Sequence, residues 1–256
     1  DHRDLHSFPT RRSSDLPLCF ANVVRRGPVG VVAASGTGLQ ETTCLIDRYG
    51  SGISQAIGTG GRDMKNAAVG GKTSLLAIEA LSADSATEVI LVVGKPPAPD
   101  VADKVVSALR ACGKPAVVHF LGAKQKADEE RLAYAANLEE AALLAAAFAG
   151  GAKTAAGARA GLDEPSADAR HERPGTADIE GLAAAEAGKL GAGQRWLRGL
   201  YTGGTLADEA LFIAHGMLGG VRSNNQTDPA WTMAHPLVSE GHVVIDLGDD
   251  FFTAGK

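Results

Sequence analysis

The sequence predicts an α/β fold, with a parallel-sheet domain followed by part of a second, similar α/β domain. From residue 27 to about 150, continuous apolar runs alternate with amphipathic stretches, and the same alternation resumes at Arg195. Continuous apolar runs are typical of strands covered on both faces. Repeating strand–helix units favour a parallel sheet with right-handed crossovers. We therefore expect a first domain over residues 17–150 and a second over residues 178–256.

Each element of the first domain follows from such a run. The apolar runs predict strands at residues 29–34, 52–57, 88–93, 116–121 and 131–135, and the amphipathic stretches predict helices at 38–49, 73–81, 100–111 and 137–149. Gly113 and Pro115 follow the third helix in the order that ends helices. Asn137 and Glu140 have the spacing of a capping box at the start of the fourth helix.

The second domain is separated from the first by a segment without apolar periodicity. Residues 151–177 are rich in Ala, Gly and Pro and are interpreted as a linker. Beyond it, the pattern predicts a helix at 179–190, a strand at 196–201, a helix at 206–218 and a strand at 242–247. Two related α/β domains in one chain explain this alternation.

The first sixteen residues are excluded from the fold prediction. They read DHRDLHSFPTRRSSDL, which is the translation of a common sequencing adapter. A basic targeting peptide is the alternative, but the segment lacks the apolar core of a secretory signal. We expect the natural chain to begin near Pro17 and to be cut at both ends.

Composition excludes several classes of function. The net charge of −5 argues against nucleic acid or an anionic membrane as a partner, and no apolar run approaches the ~20 residues of a spanning helix. The three cysteines (Cys19, Cys44 and Cys112) are odd in number and widely spaced. They predict a cytoplasmic protein without a metal site.

A turn that follows the first strand is the first candidate anion site. Ser35, Gly36, Thr37 and Gly38 lie between that strand and a helix. Glycines expose backbone N–H groups, and the start of a helix carries partial positive charge, so the turn suits a phosphate or carboxylate. Open parallel sheets also bind ligands outside the carboxyl ends of their strands. The alternative, that these residues serve only the turn and the helix cap, is equally compatible with the sequence.

Two further glycine-rich turns occur in the first domain. Gly60, Gly61 and Arg62 follow the second strand, and Arg62 can bind an anion bidentately, with Asp63 holding it in place. Gly70-Gly71-Lys72-Thr73 imitates the end of a phosphate-binding P-loop. Since Asn66 stands where the first glycine should be and no strand directly precedes the turn, we interpret it as a helix start.

The second domain repeats the first candidate turn. Thr202, Gly203, Gly204 and Thr205 again join a strand to a helix, and LADEALFI after them resembles LQETTCLI after the first turn. Chance similarity is the alternative. Gly248-Asp249-Asp250, after the last strand, can hold Mg²⁺ or a substrate amide, or can act as helix caps or solvated acids. His119 lies inside an apolar strand and is expected to be structural.

These turns, taken in order, resemble a known family. GPVGVVAASGTGLQETTCLIDRYGSGISQAIGTGGRD resembles the start of the ligase domain of succinyl-CoA synthetase alpha chains. VVGKPPAPDV, RGLYTGGTLADEA and VIDLGDDFFTAGK resemble the FdrA branch of that acyl-CoA synthetase family. The resemblance covers most of residues 27–138 and 194–256. It implies two flavodoxin-like ligase domains, preceded in full-length relatives by a CoA-binding domain.

The sequence departs from this family where its chemistry is centred. Succinyl-CoA synthetases carry phosphate on a histidine after the fourth strand, but GAKQKADEERLA between Leu121 and Tyr134 contains none. The resemblance to FdrA implies oxamate carbamoyltransferase activity in allantoin catabolism, with phosphate and oxalurate as anionic substrates and with partner subunits. A plain CoA ligase using CoA or Mg-nucleotide is the alternative, as is a non-catalytic scaffold subunit. An FMN-binding protein is a weaker option, because few aromatic residues are present to stack on a flavin.

Overall fold

A computed structural model describes residues 22–124, 126–162, 179–226 and 228–255 of the chain. Within these ranges the protein contains a five-stranded, all-parallel sheet flanked by helices on both faces, followed by a three-stranded parallel sheet. The predicted α/β class is therefore confirmed. The adapter-like residues 1–16 and most of the predicted linker lie outside the described ranges.

Seventeen helices and strands are found in the described residues. The strands are β1 (Arg26–Ala33), β2 (Ile53–Gly58), β3 (Val89–Gly94), β4 (Ala116–Phe120), β5 (Leu132–Tyr134), β6 (Arg198–Tyr201), β7 (Arg222–Ser223) and β8 (Val243–Asp246). The helices are α1 (Gly36–Arg48), α2 (Gly61–Lys65), α3 (Lys72–Ala83), α4 (Pro99–Ala111), α5 (Leu138–Ala149), α6 (Ala155–Ala160), α7 (Ile179–Ala187), α8 (Gly204–Leu218) and α9 (Asp250–Thr253).

The larger sheet has the strand order β2-β1-β3-β4-β5. This is the flavodoxin-like arrangement, in which the order reverses between β1 and β3. All its neighbouring strands run parallel, so all five carboxyl ends lie at one edge, called here the carboxyl edge. Ligands of such sheets bind outside this edge at the point of reversal.

Both faces of the larger sheet are covered, as the continuous apolar runs predict. Alternate strand residues pack with α1 and α5 on one face and with α3 and α4 on the other. Val31, Leu91 and Val117 belong to the first face, and all three are fully buried. Residues 22–162 therefore form one layered unit, called here the first unit.

Part of the predicted linker belongs to that unit. Helix α6 buries Ala155 and Ala158 against the α1–α5 face. The Arg159 guanidinium binds the carboxylates of Asp128 and Glu140. The linker interpretation is wrong for these residues, because a helix of small residues can pack without a periodic pattern of large apolar side chains.

The second unit, residues 196–255, is built around the sheet β6-β8-β7. Helix α8 covers one face, where Ala207, Leu211 and Val244 form a small core. The short elements α2, β7 and α9 were not predicted, because two to five residues give too little periodicity. Among the helices in the described ranges, none combines the length and the apolar character that crossing a bilayer requires.

Candidate functional site

The starts of α1 and α8 meet at the carboxyl edge. The Ser35 and Thr205 hydroxyls are hydrogen-bonded to each other across the two units. A β-carbon built on Gly203 would lie 2.7 Å from Thr37 Cγ2, so the Thr37 side chain packs against the Gly203 backbone as closely as a glycine allows. The structure thus brings together the first and the last of the predicted anion turns.

Helix α1 begins with amide groups free for a ligand. Ser35 caps the helix, since its Oγ accepts from the Gly38 amide at 3.0 Å. For the Gly36 and Thr37 amides, no acceptor is found among the described residues. The space beside Gly36 is open, with no atom within 4 Å of a β-carbon built there. An anion can therefore reach these two donors.

Helix α8 begins without a side-chain cap. Its N-cap residue is Gly203, and the first amide with a backbone acceptor is that of Ala207, which donates to the Gly203 carbonyl at 3.0 Å. The amides of Gly204, Thr205 and Leu206 have no acceptor within the described part of the chain. Thr202 lies exposed at the rim of this turn. Uncapped amides and the partial charge of the helix favour a negative ligand.

The predicted turn at Gly60, Gly61 and Arg62 follows β2, the strand beside β1. Gly60 has φ of 81°, which favours glycine, and a β-carbon on Gly61 would lie 3.8 Å from the Ala34 carbonyl oxygen. Arg62 is exposed, and no hydrogen bond joins it to the turn of α8 among the described contacts. This turn therefore flanks the meeting point of the two helices.

The predicted role of Asp63 is wrong. Its carboxylate accepts from the amides of Thr73 and Ser74, both at 2.9 Å, and from Ser74 Oγ at 2.7 Å. It therefore caps α3 instead of holding Arg62. Gly71 precedes α3 in the left-handed conformation, which confirms that Gly70-Gly71-Lys72-Thr73 is a helix start.

Lys95 is a site residue that the sequence analysis missed. It directly follows Gly94, the last residue of β3, and its Nζ lies 2.7 Å from Asp208 Oδ2 in α8. Asn225 Nδ2 donates to Asp208 Oδ1 at 2.5 Å. Burial raises the pKa of Asp208 above its ordinary value. The neighbouring Asp246 raises it further, whereas Lys95 and Asn225 lower it without cancelling the effect of burial. A basic residue directly after the most apolar strand was the available signal.

Asp246, at the end of β8, is a second residue that was missed. It is 8% exposed, and its Oδ1 accepts from the Gly248 amide at 2.9 Å. A β-carbon on Gly204 would lie 2.8 Å from Asp246 Oδ2 and 3.0 Å from Lys95 Nζ. The absence of a side chain at Gly204 is thus what lets these two charged groups approach the start of α8.

The neighbouring acidic turn has a capping role. Asp249 Oδ1 accepts from the Phe251 amide at 2.9 Å and starts α9. This favours the capping alternative for Gly248-Asp249-Asp250 over Mg²⁺. Among the described residues, no group of three or more His, Cys, Asp or Glu side chains is arranged to hold a metal ion.

One face of α8 fixes the position of the second unit. Four residues at helical spacing on this face contact the first unit: Thr205, Asp208, Glu209 and Phe212. Glu209 Oε1 accepts from the Leu138 amide at 2.9 Å, and the Phe212 ring lies against Gly122. Three polar contacts and one apolar contact therefore hold the two helix starts together.

We expect the contact between Glu209 and Leu138 to weaken as pH rises. Burial raises the pKa of Glu209 against the effect of the Leu138 N–H, and Glu41 and Glu139 raise it further. A folded-state pKa above the unfolded value gives stability that is complete at low pH and is lost as pH rises through the folded pKa. Glu209→Gln should remove this dependence and strengthen the contact at neutral pH by on the order of 1 kcal/mol.

Hydrogen exchange of the Leu138 amide at several pH values, corrected for the intrinsic rate, measures this effect. Glu186→Gln is the matched control, because Glu186 is exposed and pairs with Lys189, far from Leu138 in the sequence. Equal pH dependence of protection in the wild type and in Glu209→Gln would contradict the expectation.

His119 is buried and structural in this arrangement. Its Nδ1 donates to the Ala135 carbonyl at 3.0 Å, and it is 1% exposed. Burial lowers the pKa of His119, so the neutral ring is favoured. It lies inside β4 and not in the following loop, where succinyl-CoA synthetases carry their phosphohistidine.

A cavity of about 340 Å³ lies away from this site. Arg25, Arg26, Tyr49 and Gly52 are among its lining residues, which places it at the amino ends of β1 and β2. Arg25 is paired there with Asp47 at 2.7 Å. The predicted anion-binding turns of the first unit lie at the carboxyl edge, on the opposite side of the sheet.

Comparison with known proteins gives a similarity to a bacterial protein. No known protein-family profile matches the chain. The chain is 42% identical over 241 residues to the uncharacterized protein YahF of Escherichia coli strain K12. The aligned region is 93% of this chain and 43% of YahF. The chain therefore spans less than half the length of this relative.

Proposed function

We propose that this chain is part of an FdrA-like subunit that binds small oxyanions and transfers a carbamoyl or acyl group to or from phosphate. The main support for this proposal is that the starts of α1 and α8 meet. Each start has amides that lack an acceptor among the described residues. Lys95 adds a positive charge at the same place. Such preorganised donors stabilise negative charge that develops in acyl transfer.

The reaction we favour is that of an oxamate carbamoyltransferase. A phosphate oxygen would attack the carbamoyl carbon of oxalurate, and the bond from that carbon to the inner nitrogen would break. The electron pair would leave on the nitrogen, which takes a proton, giving oxamate and carbamoyl phosphate. The Ser35–Thr37 and Thr202–Thr205 turns would hold phosphate, and the Gly60–Arg62 turn would bind the oxalurate carboxylate.

Neither CoA nor a Mg-nucleotide enters this proposal. The Lys95 ammonium is paired with the Asp208 carboxylate and lies with Asp246 Oδ2 beside Gly204, and an ammonium there suits an anionic ligand better than a metal ion. CoA and nucleotide stay predictions for a full-length relative. Partner subunits also stay part of the proposal.

The test is formation of carbamoyl phosphate from oxalurate and phosphate by the complete polypeptide with its partner subunits. Arg62→Ala should lower kcat/KM about tenfold or more, because a charge-assisted bidentate contact to the substrate is lost. Arg48→Ala is the matched control, since Arg48 is also exposed but lies at the far end of α1. Absence of product in the wild type would reject carbamoyl transfer.

A non-catalytic scaffold is the second candidate. The direct hydrogen bond between Ser35 and Thr205 favours it, because these hydroxyls fill part of the gap between the helix starts. Full activity of Arg62→Ala in the reconstituted complex would support this alternative, provided that Lys95→Met is fully active as well.

A further inference from the structure

Lys95 lies where an open parallel sheet places its ligand. Ser35 follows β1 and Lys95 follows β3, the two strands between which the strand order reverses. Residues that follow these two strands flank the crevice in which ligands of such folds bind. Its position at this crevice gives Lys95 a topological reason to act in binding, in addition to its charge.

The Lys95 ammonium keeps hydrogen-bond donors for a ligand at the start of α8. The ammonium lies 3.0 Å from a β-carbon built on Gly204, at the positive end of α8. A cation is unfavourable at a helix start, and the ion pair with Asp208 at 2.7 Å holds it there. An ammonium has three donors, and the Lys95 side chain is 34% exposed, so donors are left for a ligand. An anion could accept from these donors and balance the partial positive charge of the uncapped helix start.

Asp246 presents an acceptor to the same place. Its Oδ1 is engaged by the Gly248 amide, whereas for Oδ2 no hydrogen-bond donor is found within the described ranges. The residue is 8% exposed, and Oδ2 lies 2.8 Å from the β-carbon position of Gly204. A carboxylate oxygen repels a ligand that brings only lone pairs, but it accepts from a ligand that carries a proton.

We propose that Lys95 and Asp246 select a small oxyanion that carries its own hydrogen-bond donor, such as hydrogen phosphate, and reject one without a proton, such as sulfate. This inference rests on the proposed anion site and specifies its ligand class. Lys95 supplies the attraction that both ions share. Asp246 supplies the discrimination, since only hydrogen phosphate can donate to Oδ2.

The experiment measures the affinities of inorganic phosphate and sulfate for the full chain by titration calorimetry, at a pH where both ions are dianions. The wild type should prefer phosphate by about tenfold or more. Asp246→Asn replaces the acceptor with a donor at constant shape and should reduce this ratio to near one, chiefly by improving sulfate binding. Asp249→Asn, in the cap of α9, should leave the ratio unchanged.

Lys95→Met should weaken both ions about 10- to 100-fold. This change also leaves the Asp208 carboxylate without its cation, which by itself could repel an anion. The double variant Lys95→Met/Asp208→Asn removes both charges and should also bind both ions weakly. Lys104→Met is the matched control, because Lys104 forms an exposed ion pair with Asp100 on α4, away from the site. Wild-type affinity in the double variant would overturn the assignment of Lys95.

The possible results distinguish the proposed selection by Asp246 from the proposed anion site itself. Saturable binding of both ions with equal affinity would overturn the selection by Asp246 and leave the anion site standing. An unchanged ratio in Asp246→Asn would do the same. No saturable binding of either ion to the wild type would overturn both the selection and the proposed anion site.

Discussion

Asp63→Ala should destabilise the first unit by about 3 kcal/mol at neutral pH. The Asp63 carboxylate is 4% exposed and accepts from two amides and one hydroxyl at the start of α3. Its loss removes a helix cap, worth about 1 kcal/mol, and leaves buried donors unsatisfied at about 1–3 kcal/mol. Urea denaturation of the wild type and the variant, followed by circular dichroism, measures the difference.

The effect of Asp63 should depend on pH in a defined direction. Burial alone would raise the pKa of Asp63, but the hydrogen bonds from Ser74 and Thr73 outweigh it and hold the pKa below its ordinary value of 3.8. A lowered folded-state pKa gives stability that is present above the unfolded value and is lost as pH falls through the folded pKa. The difference between wild type and Asp63→Ala should therefore shrink in acid.

Asp100→Ala provides the matched control for this prediction. Asp100 also lies in the first turn of a helix, but its side chain is 55% exposed and pairs with Lys104. Its removal should change stability by less than about 1 kcal/mol. If the two variants were equally stable, the capping role assigned to Asp63 would be wrong.

Gly27→Ala should destabilise the protein by about 3 kcal/mol. A β-carbon on Gly27 would lie 2.5 Å from Gly52 Cα and 2.6 Å from its carbonyl carbon and its nitrogen. These are backbone atoms, and β1 and β2 are joined there by hydrogen bonds from Val29 to Gly52 and from Ile53 to Arg25. Relief of the overlap therefore needs a strand to move, and overpacking of this kind costs about 1–3 kcal/mol or more.

Thermal and urea denaturation of Gly27→Ala measure this cost. Gly193→Ala is the control, because no atom lies within 4 Å of a β-carbon at Gly193 and its φ is not positive. We expect that control to stay within about 0.5 kcal/mol of the wild type. A Gly27→Ala protein as stable as the control would show that β1 and β2 are farther apart than the structure has them.

The candidate site was only partly predictable. The turns at Ser35–Thr37 and Thr202–Thr205 were found because glycine and hydroxyl residues between a strand and a helix have a local signature. Asp208 and Asp246 have none, and Lys95 has only its place directly after β3, because packing of one unit on the other brings these three residues together. Asp63 was misread for the same reason, since its partners lie ten and eleven residues farther along the chain.

The sequence by itself determined most of the strands and helices and the parallel sheet of this protein, because continuous apolar runs and amphipathic periodicity are local properties of the chain. It also determined that glycine-rich turns end the strands β1, β2 and β6. Only the tertiary structure decided that two of these turns face each other and that Lys95 and Asp246 converge on Gly204. The contacts that decide this come from α8, and the docking of a helix on a distant strand depends on shape and charge complementarity that no local pattern encodes.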